Sequence, residues 1–385
     1  MSRPLFNRRS RIYSFGRASI IAVMITMLLA ALFQRLPLAT TTAIQSGRLT
    51  MLGADVSTLQ RGLDLGARYF NAGGAQQHPL DILKGVGVNY VRLRVWLNPA
   101  SGYNNKNRVV AFAPLIKARG LKLLIDFHYS DYWADPGRQS TPAAWAGHNL
   151  SQLQTDVYNH TLDVCNALKN VGATPDMVQV GNEINQGLLW ETGRINNNNF
   201  TSAATLLKAG YNAVKACSAS TQVALHIAAG GNNATSRWWF DGVRAQGVQW
   251  DVTAQSYYCF WHGSLSAMQS NVADLRVRYG KPVIIVETAY PFTTANADSQ
   301  GNVVTSSSPC GYPATWTGQA NYFTAALNAA RAGGAAGVFY WEPTWIATPG
   351  NGWDPNNING SGDGWDNMAV FDWTGHLNPN FRWVP

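Results

Sequence analysis

The sequence predicts an eight-stranded (β/α)8 barrel of the TIM type, an α/β fold, on three observations. Short apolar runs alternate with helical stretches eight times over about 335 residues. Those runs are continuously apolar rather than half polar, as a parallel sheet covered on both faces requires. Polar residues collect at their carboxyl ends, where barrels place their sites. A doubly wound open sheet is the rival architecture. It wants a glycine-rich phosphate turn after the first strand, and the segment GADVST from Gly53 to Thr58 supplies none.

The elements follow in order. Met51–Val56 is the first predicted strand, followed by a polar loop with Tyr69 and Phe70. His78–Val86 has helical spacing, with Gly85 and Gly87 as stop signals. Asn89–Val95 alternates and is rich in β-branched residues, hence a strand. Val109–Arg119 is helical and ends at Gly120. Leu121–Phe127 is the third strand, and a polar loop runs on to Trp145. Asn149–Asn170 is a long helix before the fourth strand, Met177–Val180. Ala203–Ser218 is helical, Gln222–Ile227 is the fifth strand and Ser236–Gln246 a helix. Asp251–Tyr258 is the sixth strand, with a helix through Tyr279. Lys281–Val286 is the seventh, with Pro282 at its start, where a missing donor is tolerated. A long loop reaches Thr317, a helix runs to Ala332, and Gly337–Trp341 is the eighth strand. The tail, rich in Gly, Asn and Trp, is expected to be loop plus a short closing helix.

Charge narrows the function classes. The net charge is +8, but residues 1–43 carry six Arg and no acid. Without them 23 basic residues face 21 acidic ones, a net of +2, and a nucleic-acid partner has no footing. Met1–Arg17 is basic, Ala18–Phe33 is nearly all apolar, and Leu36–Ala43 ends in small residues, with Ala39 and Ala43 as cleavage points. That is the three-part pattern of an export signal. The apolar run of about 16 residues is shorter than a spanning helix needs, and an uncleaved membrane anchor is the alternative. Residues 50–385 are then one barrel domain, secreted or periplasmic. Nothing outside the core suggests an oligomer, and a monomer is expected.

Cys165, Cys217, Cys259 and Cys310 fit an oxidising compartment, and their spacing matches no metal motif. Cys259 with Cys310 is the expected pair, both in loops after strands on one face. Cys165 and Cys217 fall in helical stretches and are expected as plain core thiols.

The chemistry centres on two acids at strand ends. VQVGNEINQG places Glu183 after strand 4, and the run Val283–Val286 places Glu287 after strand 7. Glycoside hydrolysis needs one carboxyl to protonate the leaving oxygen and another at the anomeric carbon, roughly 5–5.5 Å apart in retaining enzymes. Strands 4 and 7 face each other across the mouth at about that scale. A lone strand-end glutamate is more often an ion-pair partner or helix cap; two, one preceded by Asn182, favour catalysis. The Asn182 amide can bond a sugar 2-hydroxyl. Arg94, nearer the mouth than Arg92 on the same strand face, is expected to hold Glu287 ionised, and Tyr257 to bond the same carboxylate. Glu183 must stay protonated until Glu287 is glycosylated. His128 and His226 shape or bind the adjoining subsite, or are satisfied structural groups. Trp133, Trp145, Trp190, Trp261, Trp341 and Trp345 sit in or beside post-strand loops. Two or three of them are expected to stack on sugar rings, Trp133 and Trp341 first.

The motifs GADVSTL, GVNYVRLRVWLNP, LLIDFHYSDYWADPGRQ, VQVGNEINQGLLW, SYY followed by WHG, VETAYPFT and GVFYWEP together resemble glycoside hydrolase family 53, from about residue 51 to the end. The resemblance implies retaining endo-hydrolysis of β-1,4-galactan, the type I arabinogalactan side chains of pectin, with Glu183 as acid/base and Glu287 as nucleophile. It also implies calcium, held after strand 7 by an alternating row, Asn296, Asp298, Gln300 and Asn302, with Asp366 from the last loop. All are oxygen donors, as calcium prefers. A solvated loop of turn residues, braced by a Cys259–Cys310 bond, is the alternative. A mannanase, xylanase or cellulase on the same mouth, and a non-catalytic carbohydrate-binding barrel, are the rival functions. The barrel that only binds would normally have lost one acid, and this chain keeps both.

Overall fold

The computed structural model describes residues 48–384. The leader predicted at residues 1–43 lies outside the described residues. Eight parallel strands close in sequence order: β1 (Met51–Asp55), β2 (Tyr90–Val95), β3 (Lys122–Phe127), β4 (Met177–Val180), β5 (Gln222–Ile227), β6 (Val252–Ser256), β7 (Val283–Glu287) and β8 (Gly337–Trp341). The helices are α1 (Leu59–Asp64), α2 (Pro79–Gly85), α3 (Lys106–Lys117), α4 (Leu150–Asn170), α5 (Thr201–Cys217), α6 (Asn233–Ala245), α7 (Cys259–His262), α8 (Leu265–Tyr279) and α9 (Trp316–Gly333). The predicted barrel is therefore the fold found.

The barrel interior is a packed layer rather than a pore. Tyr90, Leu124, Met177, Ala224, Val252, Ala254, Ile284, Val286 and Phe339 fill it. Large residues need small ones opposite. A Cβ on Gly53 would stand 2.0 Å from the Phe339 ring, so β1 can pass Phe339 only as glycine. A second, larger apolar cluster lies between strands and helices. The strands are thus apolar on both faces, which is why they read as continuous runs.

Helix starts follow capping chemistry. Asn149 and Gln152 form a reciprocal capping box at α4, and Asn105, Asn232, Ser264 and Thr315 cap α3, α6, α8 and α9 with side-chain oxygens.

Three expectations need correction. The polar stretch after β1 begins with α1, a six-residue helix without a side-chain cap and with Gly62 inside it. Buried Leu59 stabilises it, not local propensity, so no periodicity announces it. The tail forms no closing α-helix among the described residues. It makes a 3₁₀ turn at Asp366–Met368, then buries Phe381 and Trp383, whose Nε1 donates 2.7 Å to the Gly53 carbonyl. Finally, Cys165 and Cys217 are not free thiols. They bond α4 to α5 across a Cα–Cα distance of 6.2 Å, and Cys259 bonds Cys310 as expected. The reason is packing: α4 and α5 lie side by side, a contact that residue spacing within each helix cannot show.

Closing a loop of 52 residues in the unfolded chain corresponds to a few kcal/mol of stability. Replacing Cys165 and Cys217 together by Ala is expected to cost about 2–4 kcal/mol. Thermal unfolding would show a Tm several degrees lower, with kcat and KM unchanged at 25 °C.

Candidate active site

A cavity of about 600 Å³ opens at the carboxyl ends of the strands. Glu183 and Glu287 both line it, and one oxygen of each lies within 4.8 Å of the other and of a His226 ring nitrogen. The chain leaves β4 through Gly181 (φ 88°) and Glu183 itself (φ 47°), a left-handed pair that turns the glutamate inward. Glu342 after β8 has the same turn (φ 52°).

Arg92 is the hub of the mouth. Its guanidinium lies 2.8 Å from Asp55, 2.9 Å from Asp126, 2.8 Å from Glu287 and 2.8 Å from Asn182 Oδ1. It thereby ties β1, β3, the end of β4 and β7 to β2. This corrects the expectation for Arg94, which pairs at 2.8 Å with Glu342 instead. The register explains it. Asp126 is level with Arg94, not Arg92, so the longer reach of Arg92 runs up to the layer above its own Cα. Arg94, already at the rim, turns sideways and lies 4.0 Å from the Trp133 ring centroid.

Tyr257 is corrected likewise. Its hydroxyl donates to the Gly263 carbonyl at 2.7 Å, whereas Tyr258 donates to Glu287 Oε2 at 3.0 Å. Strand alternation was the available signal. Val252 and Ala254 point into the barrel, and the same parity leads to Tyr258.

Asn182 accepts from Arg92 through Oδ1 and donates one amide proton to the Ala134 carbonyl at 2.8 Å. It lines the cavity with its second amide proton still available. His128 also lines the cavity, but both ring nitrogens have protein partners. Nδ1 accepts from Trp96 Nε1 (3.1 Å) and Ala134 N (3.0 Å), and Nε2 donates to Asp126 (3.1 Å). It shapes the wall and carries Asp126 toward Arg92. His226 lies beneath Glu183, buried, with its pKa held well below the ordinary value by burial and by Arg92.

The two glutamates are electrostatically unlike. Desolvation pushes both carboxyl pKa values up, and for Glu183 the neighbouring Glu287 charge pushes further. Burial of Glu287 is opposed by the Arg92 cation and the Tyr258 hydroxyl. The pair therefore ionises at Glu287 first and keeps its proton on Glu183.

Trp133, Trp261, Trp341 and Trp345 line the cavity, joined by Trp353 and Trp365 of the tail. Trp145 instead is buried among Tyr129 and His160, and Trp190 stacks under Arg194 outside the cavity. Trp353 and Trp365 escape a sequence reading because only the path of the long tail brings them back over the mouth.

The loop after β7 packs on that tail beside the cavity. Asp298 accepts from the backbone of Gln300 (2.7 Å) and Asp363 (2.6 Å), and Asp366 from Ala297 (3.0 Å). Asn302 donates to the Ala295 carbonyl at 2.8 Å, leaving its Oδ1 turned inward. Asn302 Oδ1, Asp363 Oδ2 and Asp366 Oδ1 are buried without a hydrogen-bond partner. Burial and the mutual repulsion of the acids raise Asp363 well above the ordinary carboxyl range, and burial raises Asp366 to about 6. Orphaned hard oxygens on clustered acids fit a calcium ion in donor chemistry. Asp363, absent from the sequence-level set, supplies the further carboxylate.

A parallel barrel with a half-buried and a buried glutamate, Glu183 and Glu287, closely opposed at the ends of β4 and β7 under a roof of indole rings, defines a barrel glycosidase. The model of glycosyl hydrolase family 53 matches residues 51–384, and the chain belongs to that family. It is 40% identical over 342 residues to a Niallia circulans protein described as the uncharacterized protein in the bgaB 5' region, covering 86% of this chain and 92% of that one. It is 37% identical to the arabinogalactan endo-β-1,4-galactanase of Thermothelomyces thermophilus, covering 77% and 90%. The solved family 53 catalytic domain of Ignisphaera aggregans superposes with a TM-score of 0.81 at 36% identity, covering 89% and 96%.

The two tyrosines separate cleanly by experiment. A hydrogen bond to a charged carboxylate contributes about 1.5–3 kcal/mol, so Tyr258→Phe is expected to lower kcat/KM roughly 10- to 100-fold. Tyr257→Phe should stay within about threefold of the parent, since its hydroxyl meets only a carbonyl. Initial rates on soluble polysaccharide distinguish them.

Proposed function

We propose that the protein is an exported, retaining endo-β-1,4-galactanase acting on type I arabinogalactan. The observation that carries the mechanism is the approach of Glu183 and Glu287 oxygens to within 4.8 Å, with Arg92 and Tyr258 on Glu287 alone. That separation leaves no room for a water between the second carboxylate and the anomeric carbon, as inversion would need. Glu287 attacks the anomeric carbon while Glu183 protonates the departing glycosidic oxygen. The glycosyl ester consumes the charge of Glu287, Glu183 loses its reason to stay protonated, and it then activates water on the same face. Asn182 offers its free amide proton to the 2-hydroxyl. Arg94 and Trp133 together present a flat face to a sugar ring.

The galactan substrate comes from the names of relatives such as the Thermothelomyces enzyme, and from the family. The endo mode is supported by the cleft, which continues past Tyr132 and Arg138 into a second hollow of about 440 Å³. Two disulfides support export, into the medium or the periplasm.

Product stereochemistry on potato galactan tests substrate and mechanism together. Release of β-configured product ends is expected, with far less release from mannan, xylan or cellulose. Inverted product, or release from another polysaccharide but none from galactan, would overturn the reading. Glu287→Ala should abolish turnover while galacto-oligosaccharide binding persists.

Calcium belongs to the same proposal, held by Asp298, Asn302 and Asp366 together with Asp363. Those residues would hold the ion beside the wall formed by Gln300, Val303 and Gly364, where its charge would offset that of the acids. Without it, carboxyls whose folded pKa is raised favour the folded state below the unfolded pKa near 4, and that stability is lost as pH rises through about 6. Added calcium is thus expected to raise Tm at pH 7 by several degrees and at pH 4 hardly at all. An EDTA-treated sample whose Tm at pH 7 ignores calcium would remove the ion from the account.

A further inference from the structure

Ser256 ends β6, is fully buried, and has no part in the chemistry described above. Its Oγ lies 2.6 Å from Glu183 Oε1 and 2.8 Å from His226 Nε2. The placement depends on an irregularity. The β6–β7 register shifts between Gln255 and Ser256, which sets Ser256 opposite Glu287.

Proton counting fixes the direction of the chain. The Glu183 backbone N–H donates to His226 Nδ1 at 3.3 Å, and Gln179 Nε2 approaches the same atom at 2.9 Å. A proton on Nδ1 would turn a buried amide against another donor. Asn182 Oδ1, at 3.0 Å from Nδ1, already accepts from Arg92 and Gln179. The neutral ring therefore carries its proton on Nε2 and donates it to Ser256 Oγ. The one hydroxyl proton of Ser256 is left with one acceptor, Glu183 Oε1.

We propose that Ser256 is a positioning residue for the acid/base, aimed by His226, so that Oε1 of Glu183 is always the accepting oxygen and Oε2 carries the proton into the cleft. The proposal rests on Glu183 being the acid/base. Glu183 faces Glu287 from β7, Asp135 from the loop after β3, Arg92 from β2 and His226 from β5. Glu287 and Asp135 favour the protonated carboxyl, whereas Ser256 and Arg92 favour the carboxylate. Ser256 is thus the hydrogen bond that lets a carboxyl beside two other acids release its proton during turnover.

Ser256→Ala and the nearly isosteric Ser256→Cys, a weak donor, test this against two substrates. On galactan, kcat/KM is expected to fall roughly 10- to 100-fold and the alkaline limb of its pH profile to move to higher pH. An aryl β-galactobioside with a highly activated leaving group needs no acid, and its kcat/KM should stay within about twofold. Equal losses on both substrates, or an unmoved alkaline limb, would overturn the positioning role. Glu183→Ala run alongside keeps the readings apart. If it loses galactan activity but cleaves the activated substrate, the acid/base assignment stands and the serine is judged alone. If it retains galactan activity, the assignment itself falls.

Discussion

One buried cation sets the geometry of the mouth. Arg92 touches Asp55, Asp126 and Glu287, each within 2.9 Å, and also Asn182. A guanidinium fork can hold several carboxyl oxygens only if each arrives in its plane, so four other strands must present their ends at fixed heights. Removing the cation would leave three acids uncompensated in a dry site, which is far costlier than the pairing is favourable. The ion cluster is therefore a constraint on form before it is a source of stability. It also makes one of two similar glutamates the anion.

Much of this was legible in the chain, for identifiable reasons. The barrel declares itself because a parallel sheet apolar on both faces writes continuous runs, and the two glutamates declare themselves because strand ends are where runs stop. Arg92 does not, since a long side chain acts a layer above its own Cα. Tyr258 is within reach of strict alternation from Ala254. Ser256 is a small residue whose meaning depends on a register shift no single strand reveals. Trp353, Trp365 and Asp363 act through the fold of a tail whose local sequence specifies only turns.

The roof of the cleft is held differently from its floor. Strands and their ends fix the glutamates and Trp341, whereas α7 and the loops carry the other indoles and must be fastened some other way. The Cys259–Cys310 bond ties α7, which carries Trp261, to the loop after β7. That loop is pinned to the tail by Asp298 on the Asp363 amide and by the Val303 amide on the Gly364 carbonyl at 2.9 Å. The acids that make this pinning possible repel one another without a cation. Their siting at the cavity wall couples any change in their charge to the shape offered to the substrate.

In the double displacement proposed above, two carboxyls of the same kind, a few ångströms apart, must do opposite things in each half. Distance alone cannot assign the roles, because it is symmetric. The asymmetry lies in what each is given to lean on. Glu287 has a cation and a phenol, both of which favour charge from the start. Glu183 feels the Arg92 cation less than it feels burial and its repelling neighbour Glu287, so it begins protonated; it has also Ser256, a neutral donor that serves either protonation state. In that proposal, once the sugar ester cancels the charge of Glu287, the repulsion that kept Glu183 protonated disappears, while the serine bond remains. The switch from acid to base then needs no movement of the protein, only the disappearance of one charge.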